Sequence, residues 1–229
     1  MSRLWRLCFI LCGPAFLFFN LAFVRAQETG EPEAVLAGIP QPMTWQNPPQ
    51  HWKIDDRRTL SITAGRKSDW FVSPMGDSHV DSSPRLLFKP ADDFVLSAKV
   101  TVGFQSQWDA GVLVLYENDS LWAKLCFENT IEKHSAIVSV VTKDVSDDNN
   151  SIEMSGPSVY LKIAKAGPAI FFYASQDGRT WRIIRSFSLG KTPNLRVGFS
   201  SQAPVGDGCT TVFSEIQYLP KKVDLWQGR

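Results

Sequence analysis

QWDAGVLVLYENDSLWAKLCFE, residues 107–128, decides the fold of this chain. Two apolar runs flank the polar stretch Glu117–Ser120, which is typical of a tight turn between two strands. The second run alternates between two sets of side chains: Leu121, Ala123, Leu125 and Phe127 on one side, and Trp122, Lys124, Cys126 and Glu128 on the other. Because strand side chains alternate between faces, the first set is predicted to face a core and the second to share one open surface. An indole, an ammonium and a carboxylate on one surface indicate a binding face.

The same period of two recurs in nearly every apolar segment of the chain. It is found in residues 60–64, 94–104, 136–143, 159–165, 169–175, 181–187, 195–201 and 211–219. No window of useful length has the 3.6-residue period of a helix, and turn sequences such as Asp177-Gly178 separate the segments. About ten or more strands at this spacing predict an all-β sandwich of two antiparallel sheets.

Residues 1–26 have the composition of a signal peptide. Two arginines precede an apolar run that ends at Val24, and Val24-Arg25-Ala26 offers small residues at the positions that signal peptidase requires. The prediction is therefore a secreted protein, extracellular or periplasmic, with no membrane contact after cleavage. An uncleaved membrane anchor is the alternative, because the run is near the length that spans a bilayer.

The remainder of the chain is predicted to contain one domain. Residues 27–42 are rich in Glu, Gly and Pro and predict a flexible leader, followed by a β-sandwich at 43–220 and a tail at 221–229. Without residues 1–26 the chain has 21 basic and 23 acidic residues, and no basic run exceeds two residues. This distribution argues against nucleic-acid binding and suits a neutral ligand. The sequence carries no signal for an oligomeric state.

Several short motifs follow one another between residues 44 and 219. They are Trp108-Asp109-Ala110-Gly111, Trp122-Ala123-Lys124, Phe127-Glu128, Ser139-Val140-Val141-Thr142 with Ser146-Asp147, Ser175-Gln176-Asp177-Gly178 with Trp181, and Val197-Gly198-Phe199 with Pro204, Gly206 and Gly208. In this order they resemble the signature of the DUF1349 family, also called regulation-of-enolase-like. The resemblance implies a concanavalin A-like jelly roll, whose curved front sheet has a concave face that is the usual ligand site.

The face and the resemblance together give the candidate ligand-binding residues. These are Trp108, Asp109, Trp122, Lys124, Glu128, Ser146 and Asp147. An indole that stacks on a sugar ring, beside polar groups that satisfy its hydroxyls, is typical of carbohydrate binding. The predicted function is non-catalytic binding of a carbohydrate or a similar polar ligand on the concave face. Ordinary packing is the alternative for Trp122, and an ion pair with Lys124 or a nearby arginine is the alternative for Glu128.

Two other functions stay open at this point. A glycoside hydrolase or polysaccharide lyase needs a pair of carboxyl groups, and without an E-x-D-x-x-E cluster the pair would have to be assembled across strands. No catalytic residue is predicted, because the chain has three histidines, no G-x-S-x-G motif and no recognisable Cys/His arrangement. The third hypothesis is a domain that binds another protein.

Metal binding and disulfide formation have weaker signals. No cofactor is predicted, although a polar loop could supply oxygen ligands to calcium through Asp144, Asp147, Asp148, Asn149 and Asn150. Cys126 and Cys209 are the only cysteines after residue 26, and they predict either one disulfide or two separate, partly buried thiols. Asn118 and Asn149 fit the acceptor pattern for N-glycosylation.

Overall fold

The computed structural model of the protein describes residues 34–228, and the predicted signal peptide lies outside them. Within this range the strands are β1 (Thr44–Gln46), β2 (His51–Asp55), β3 (Thr59–Gly65), β4 (Trp70–Val72), β5 (His79–Asp81), β6 (Arg85–Phe88), β7 (Phe94–Val102), β8 (Ala110–Asn118), β9 (Leu121–Asn129), β10 (Ser135–Lys143), β11 (Val145–Glu153), β12 (Ser158–Ala166), β13 (Ala169–Ser175), β14 (Arg182–Phe187), β15 (Arg196–Gln202) and β16 (Gly208–Leu219). No helix in the described range is long and apolar enough to cross a membrane.

Two seven-stranded antiparallel sheets make up the body of the fold. The front sheet has the order β1-β6-β15-β8-β9-β10-β11, and the back sheet has the order β14-β13-β12-β7-β16-β3-β2. β4 and β5 pair only with each other among the named strands and form a small separate ribbon. The predicted all-β class is confirmed: the molecule is a β-sandwich of two antiparallel sheets.

The main apolar core lies between the two sheets. β9 contributes Ala123, Leu125 and Phe127, all fully buried, while Leu121 packs against the core at its edge. The alternation predicted for this strand is therefore confirmed on its apolar side. Each fully buried Leu or Phe side chain contributes about 1.5–3 kcal/mol relative to an exposed position, so the inter-sheet core is the main source of stability.

Gly111, in the segment that resembles the family's D-x-A-G motif, allows the two sheets to approach each other closely. A Cβ atom at this position would lie 2.5 Å from methyl carbons of both Val100 and Thr211, which belong to the back sheet. Real side chains do not approach so closely in a packed interior. The glycine is therefore required by the distance between β8 and the strands that face it.

A second apolar layer covers the outer face of the front sheet. It contains Trp70, Leu87, Ala110, Val112, Val114, Tyr116, Trp122, Cys126, Val138 and Val140. The β4–β5 ribbon lies over part of this layer, and the Val72 N–H donates to the Ser146 hydroxyl oxygen at 3.0 Å. Ser146 also shares a hydrogen bond with the Thr142 hydroxyl at 2.9 Å, so the ribbon is fastened to β10 and β11.

The predicted leader needs correction, and the predicted tail packs on the domain. The prediction that residues 27–42 form a flexible leader is wrong for residues 34–42, because Ala34, Leu36 and Ile39 are buried in the main core. Residues 27–33 lie outside the described range. The segment after Pro220 also contacts the domain: Val223 and Leu225 pack on the outer face of the back sheet. The sequence did not identify these apolar side chains as buried, because each segment is too short to show a strand or helix period.

The two cysteines are free and buried on different layers. Cys126 belongs to the layer outside the front sheet, whereas Cys209 belongs to the core between the sheets. Of the two arrangements predicted, the structure contains the separate thiols. Burial raises the pKa of Cys209 to about 12, so this thiol stays protonated at neutral pH.

Candidate functional site

A pocket of about 250 Å³ opens on the outer face of the front sheet; we call it the front pocket. It combines aromatic, aliphatic, amide and ionisable side chains. The lining residues are Asp69, Phe71, Trp108, Lys124, Glu128, Thr130, Ile131, Val138, Val140, Asp148, Asn150, Gln202 and Pro204. The volume is just below the range of about 300–1,000 Å³ that is common for small-molecule sites, so the pocket suits a small ligand or one end of a larger one.

The registers of three neighbouring strands place the polar groups in the pocket. Lys124 of β9 lies opposite Val140 of β10, and Val140 in turn lies opposite Asp148 of β11. Glu128 lies four residues beyond Lys124 on β9 and therefore faces the same side. The structure thus brings Lys124, Glu128 and Asp148 to one surface, although Asp148 was not among the predicted ligand-binding residues.

Trp122 lies on this same side of β9, but its predicted open position is wrong. The side chain is fully buried, and its ring stacks on that of Trp70 with centroids 3.8 Å apart and planes inclined by 21°. Trp70 belongs to β4, so the ribbon occupies the indole face that a ligand would need. The structure therefore assigns Trp122 to packing.

Trp108 is the accessible indole of the pocket. Its side chain is 38% exposed, and its backbone φ of 63° lies in the left-handed region, which a bulky residue rarely adopts. Two hydrogen bonds hold it there: the Trp108 N–H donates to the Asn129 carbonyl at 2.6 Å, and the Gln202 side-chain amide donates to the Trp108 carbonyl at 3.3 Å. Such strained residues are concentrated at binding and catalytic sites.

Three other predicted residues lie outside the pocket lining. Asp109 is fully buried and accepts the backbone N–H groups of Gln105 and Ser106, both at 2.8 Å, so it organises the turn before β8. Ser146 is buried beneath the ribbon, as described above. Asp147 faces the other side of β11 and pairs with Arg185 at 2.9 Å. The structure therefore does not bring these three side chains into the lining of the front pocket.

The predicted polar loop at residues 144–150 is also wrong, because Val145–Glu153 forms the edge strand β11. Asp148 and Asn150 point into the front pocket while Asp147 points away, so the proposed calcium ligands do not converge. In the described part of the chain, no group of three or more His, Cys, Asp or Glu side chains could hold a metal ion.

The comparison with protein families explains the ordered motifs. The family described as "Protein of unknown function (DUF1349)" matches residues 45–221. This chain belongs to the DUF1349 family. The resemblance suggested by the motifs is thereby confirmed. The chain is 21% identical over 173 residues to Regulation of enolase protein 1 from Saccharomyces cerevisiae, and the match covers 75% of this chain and 86% of that protein.

Solved structures share the architecture of this DUF1349 protein. A functionally unknown protein from Saccharomyces cerevisiae has a TM-score of 0.73 at 20% identity, over 79% of this chain and 97% of that chain. The GH43 BlXynB protein from Bacillus licheniformis has a TM-score of 0.57 at 15% identity, over 76% of this chain and only 35% of that chain. At these identities the likeness shows the fold alone.

Gln202 links the polar groups of the DUF1349 pocket. Its side-chain oxygen accepts from the Lys124 ammonium at 3.0 Å, and its amide nitrogen donates to a Glu128 carboxyl oxygen at 3.4 Å. The same nitrogen donates to the Trp108 carbonyl, so one buried amide contacts all three ligand-binding candidates that remain in the pocket. Gln202 could not be identified from the sequence, because it belongs to β15, which is distant in the chain and reaches Glu128 across β8.

Lys124 is a buried cation with internal partners. Its side chain is 4% exposed, and its nitrogen lies 3.6 Å from a carboxylate oxygen of Asp69. Burial alone would lower the pKa of Lys124, but Asp69 and then the other nearby acidic groups outweigh burial and hold that pKa above its usual value. The side chain is therefore charged at neutral pH, and its charge is balanced within the protein.

Glu128 is a carboxyl group that keeps its proton. Burial raises its pKa to about 8, and the negative charges of Asp148 and Asp69 act in the same direction, while Lys124 opposes the rise. At neutral pH Glu128 is mostly neutral and can donate a hydrogen bond as well as accept one. Burial also raises the pKa of Asp148 from its ordinary value, against the opposing charge of Lys124.

Proposed function

We propose that this DUF1349 protein binds a carbohydrate or a similar small polar ligand in the front pocket. The observation that carries the proposal is the position of Trp108. A partly exposed indole is held in a strained backbone conformation beside a pocket whose floor carries carboxyl and amide groups. One aromatic face combined with a few convergent polar groups is the usual composition of a sugar site.

The polar groups of the pocket suit the hydroxyls of a sugar, which both donate and accept hydrogen bonds. The protonated Glu128 offers a donor, Asp148 offers acceptor oxygens, and the Asn150 amide offers both. Phe71 adds apolar surface to the wall of the pocket. The fold likeness to part of a GH43 protein is compatible with a carbohydrate ligand and supports the proposal as an analogy only.

The test is a glycan array followed by calorimetry on the best hit. Trp108→Ala is expected to weaken binding by about 1–3 kcal/mol, the range typical of an anchor residue at an interface. Trp226→Ala is the matched control, because Trp226 is 74% exposed and packs on Phe171 of the back sheet. Unchanged affinity in Trp108→Ala would remove the front pocket as the site.

A Trp108→Gly variant separates binding from strain. Glycine adopts positive φ without cost, so this variant is expected to lose the ligand while keeping at least the stability of Trp108→Ala. If Trp108→Gly bound the ligand as tightly as the wild type, the indole would have no role in binding. An absence of any array hit would favour the third hypothesis, a domain that binds another protein.

A second candidate function is glycoside hydrolysis or polysaccharide elimination. The observation that favours it is that the protonated Glu128 and the acidic Asp148 line one pocket, which is the pairing that acid–base catalysis uses. Release of reducing ends or of unsaturated products from a polysaccharide panel tests it. Activity that disappears in Glu128→Gln would establish an enzyme; no turnover by the wild type would leave binding as the function.

The proposed site of action is outside the cytoplasm, after removal of residues 1–26. The basic start, the apolar run and the Val24-x-Ala26 motif support this proposal.

A further inference from the structure

The ionisable side chains of the front pocket form an unbalanced set. Three acidic residues and one basic residue line it: Asp69, Glu128, Asp148 and Lys124. Within the described range, no arginine or histidine contributes to its lining. The charge that a ligand meets therefore depends on how these four groups compensate one another.

Lys124 is not available to a ligand anion. Its ammonium donates to Gln202 at 3.0 Å, lies 3.6 Å from Asp69, and is almost completely covered by the protein. Asp69 is held in turn, because the same carboxylate oxygen accepts the Trp70 backbone N–H at 2.6 Å. The one positive charge of the lining is thus used inside the protein to neutralise one carboxylate.

The other two carboxyl groups, those of Glu128 and Asp148, determine the sign of the pocket's net charge. Glu128 is mostly protonated at neutral pH, since its pKa is raised to about 8, and it contributes a neutral donor. Asp148 lies on the exposed edge strand and adds one formal negative charge. The charges of Lys124 and Arg185 act on it from a distance, but their ion pairs are made with Asp69 and Asp147. Because the charges of Lys124 and Asp69 cancel, the formal charge of the pocket lining is negative.

We propose that the front pocket selects its saccharide by charge: it takes amine-bearing and neutral sugars and rejects uronic acids and other acidic sugars. This inference rests on the proposed carbohydrate function and specifies its ligand class. A carboxylate or sulfate brought beside Asp148 meets repulsion and finds no free cation, whereas an ammonium gains attraction there.

The test uses three tetrasaccharides that share one β-1,4-linked gluco backbone and differ in charge: a glucosamine oligomer, cellotetraose and a glucuronic acid oligomer. Calorimetry at pH 6 and low salt, where the amino groups of the glucosamine oligomer are mostly protonated, is expected to give affinities in that order, with steps of roughly three- to tenfold, the scale of one charge interaction near a protein surface. The preference for the amine is expected to shrink as salt is added.

Two variants check that Asp148 carries the preference. Asp148→Asn is expected to bring the amine-bearing and neutral oligomers to within about twofold of each other, because the unpaired charge is gone. Asp144→Asn makes the same change of net charge in the turn between β10 and β11, outside the pocket lining, and is expected to keep the wild-type order.

Each other outcome has a definite meaning. Equal or tighter binding of the glucuronic acid oligomer, with binding still lost in Trp108→Ala, would overturn charge selection and leave the proposed function standing. Binding of none of the three oligomers would overturn both proposals. Equal effects of Asp148→Asn and Asp144→Asn would overturn the assignment to Asp148.

Discussion

The indole of Trp70 lies flat on that of Trp122, with ring centroids 3.8 Å apart. The Arg85 guanidinium covers the same Trp70 ring at 4.3 Å from its centroid, so three large side chains are stacked outside the front sheet. This stack gives the short β4–β5 ribbon a fixed position. The ribbon supplies Phe71 to the front pocket, and the residue just before it supplies Asp69. Packing at Trp122 therefore supports the site without contact with a ligand.

Removal of the Trp70 indole is expected to destabilise the protein. Trp70→Ala should cost about 3–5 kcal/mol, the range for large aromatic residues deleted from a core, and should expose Trp122 to solvent. Denaturant titration measures the loss, and iodide quenching of tryptophan fluorescence measures the exposure. Trp226→Ala is the control and should cost much less, since that side chain is 74% exposed. A Trp70→Ala protein as stable as the control would contradict the stacked arrangement.

Glu128 is expected to make stability depend on pH. Its folded-state pKa of about 8 exceeds the ordinary value of 4.5, so the stability it contributes is fully present below about pH 4.5 and is lost as the pH rises through 8. Glu128→Gln removes this titration and should be more stable than the wild type at pH 9 by up to a few kcal/mol.

Urea titrations at pH 5, 7 and 9 measure this dependence. Glu132→Gln is the matched control, because Glu132 is exposed in the turn before β10 and should keep the wild-type slope. If Glu128→Gln showed the same loss of stability between pH 5 and pH 9 as the wild type, Glu128 would not be the titrating group.

The Gln202 amide is expected to be essential to the arrangement of the pocket. Gln202→Ala leaves buried polar groups of Lys124, Glu128 and Trp108 without this partner and should cost about 1–3 kcal/mol in stability. It should also weaken ligand binding, because Trp108 loses one of its two backbone restraints. Gln105→Ala serves as control, since the exposed Gln105 uses only its backbone N–H, which alanine keeps. Equal effects of the two substitutions on stability and on binding would count against the linking role of Gln202.

Processing at the predicted cleavage site gives a further test. Mature protein isolated from a secreting host is expected to begin at or near Gln27, and Ala26→Lys should block cleavage because the position requires a small residue. Ala26→Gly keeps a small residue and should be processed normally. N-terminal sequencing decides, and retention of Met1 in membrane fractions would support the uncleaved anchor instead.

The sequence predicted the sandwich because period-two alternation is a local property. It also placed Lys124 and Glu128 on one face for the same reason. It failed for Trp122 because the covering strand, β4, has three residues and shows no period of its own. It failed for β11 because Asp and Asn are depleted in strands, and their local preference therefore predicts a loop. In the structure, pairing with β10 overrides that preference. The role of Gln202 could not be predicted from the sequence, because contacts between distant segments determine the order of the strands.

The buried positions of Leu36, Ile39 and Leu225 have a practical consequence for anyone who expresses this domain. The family match covers residues 45–221, yet Leu36 and Ile39 fill the core ahead of it, and Leu225 packs on the back sheet beyond it. A fragment cut at the limits of the family would open a gap at one end of the sandwich and uncover Phe171 and Tyr173. The family match is shorter than the packed domain on both sides, so recombinant boundaries should be chosen from the packing, at or outside residues 34 and 228.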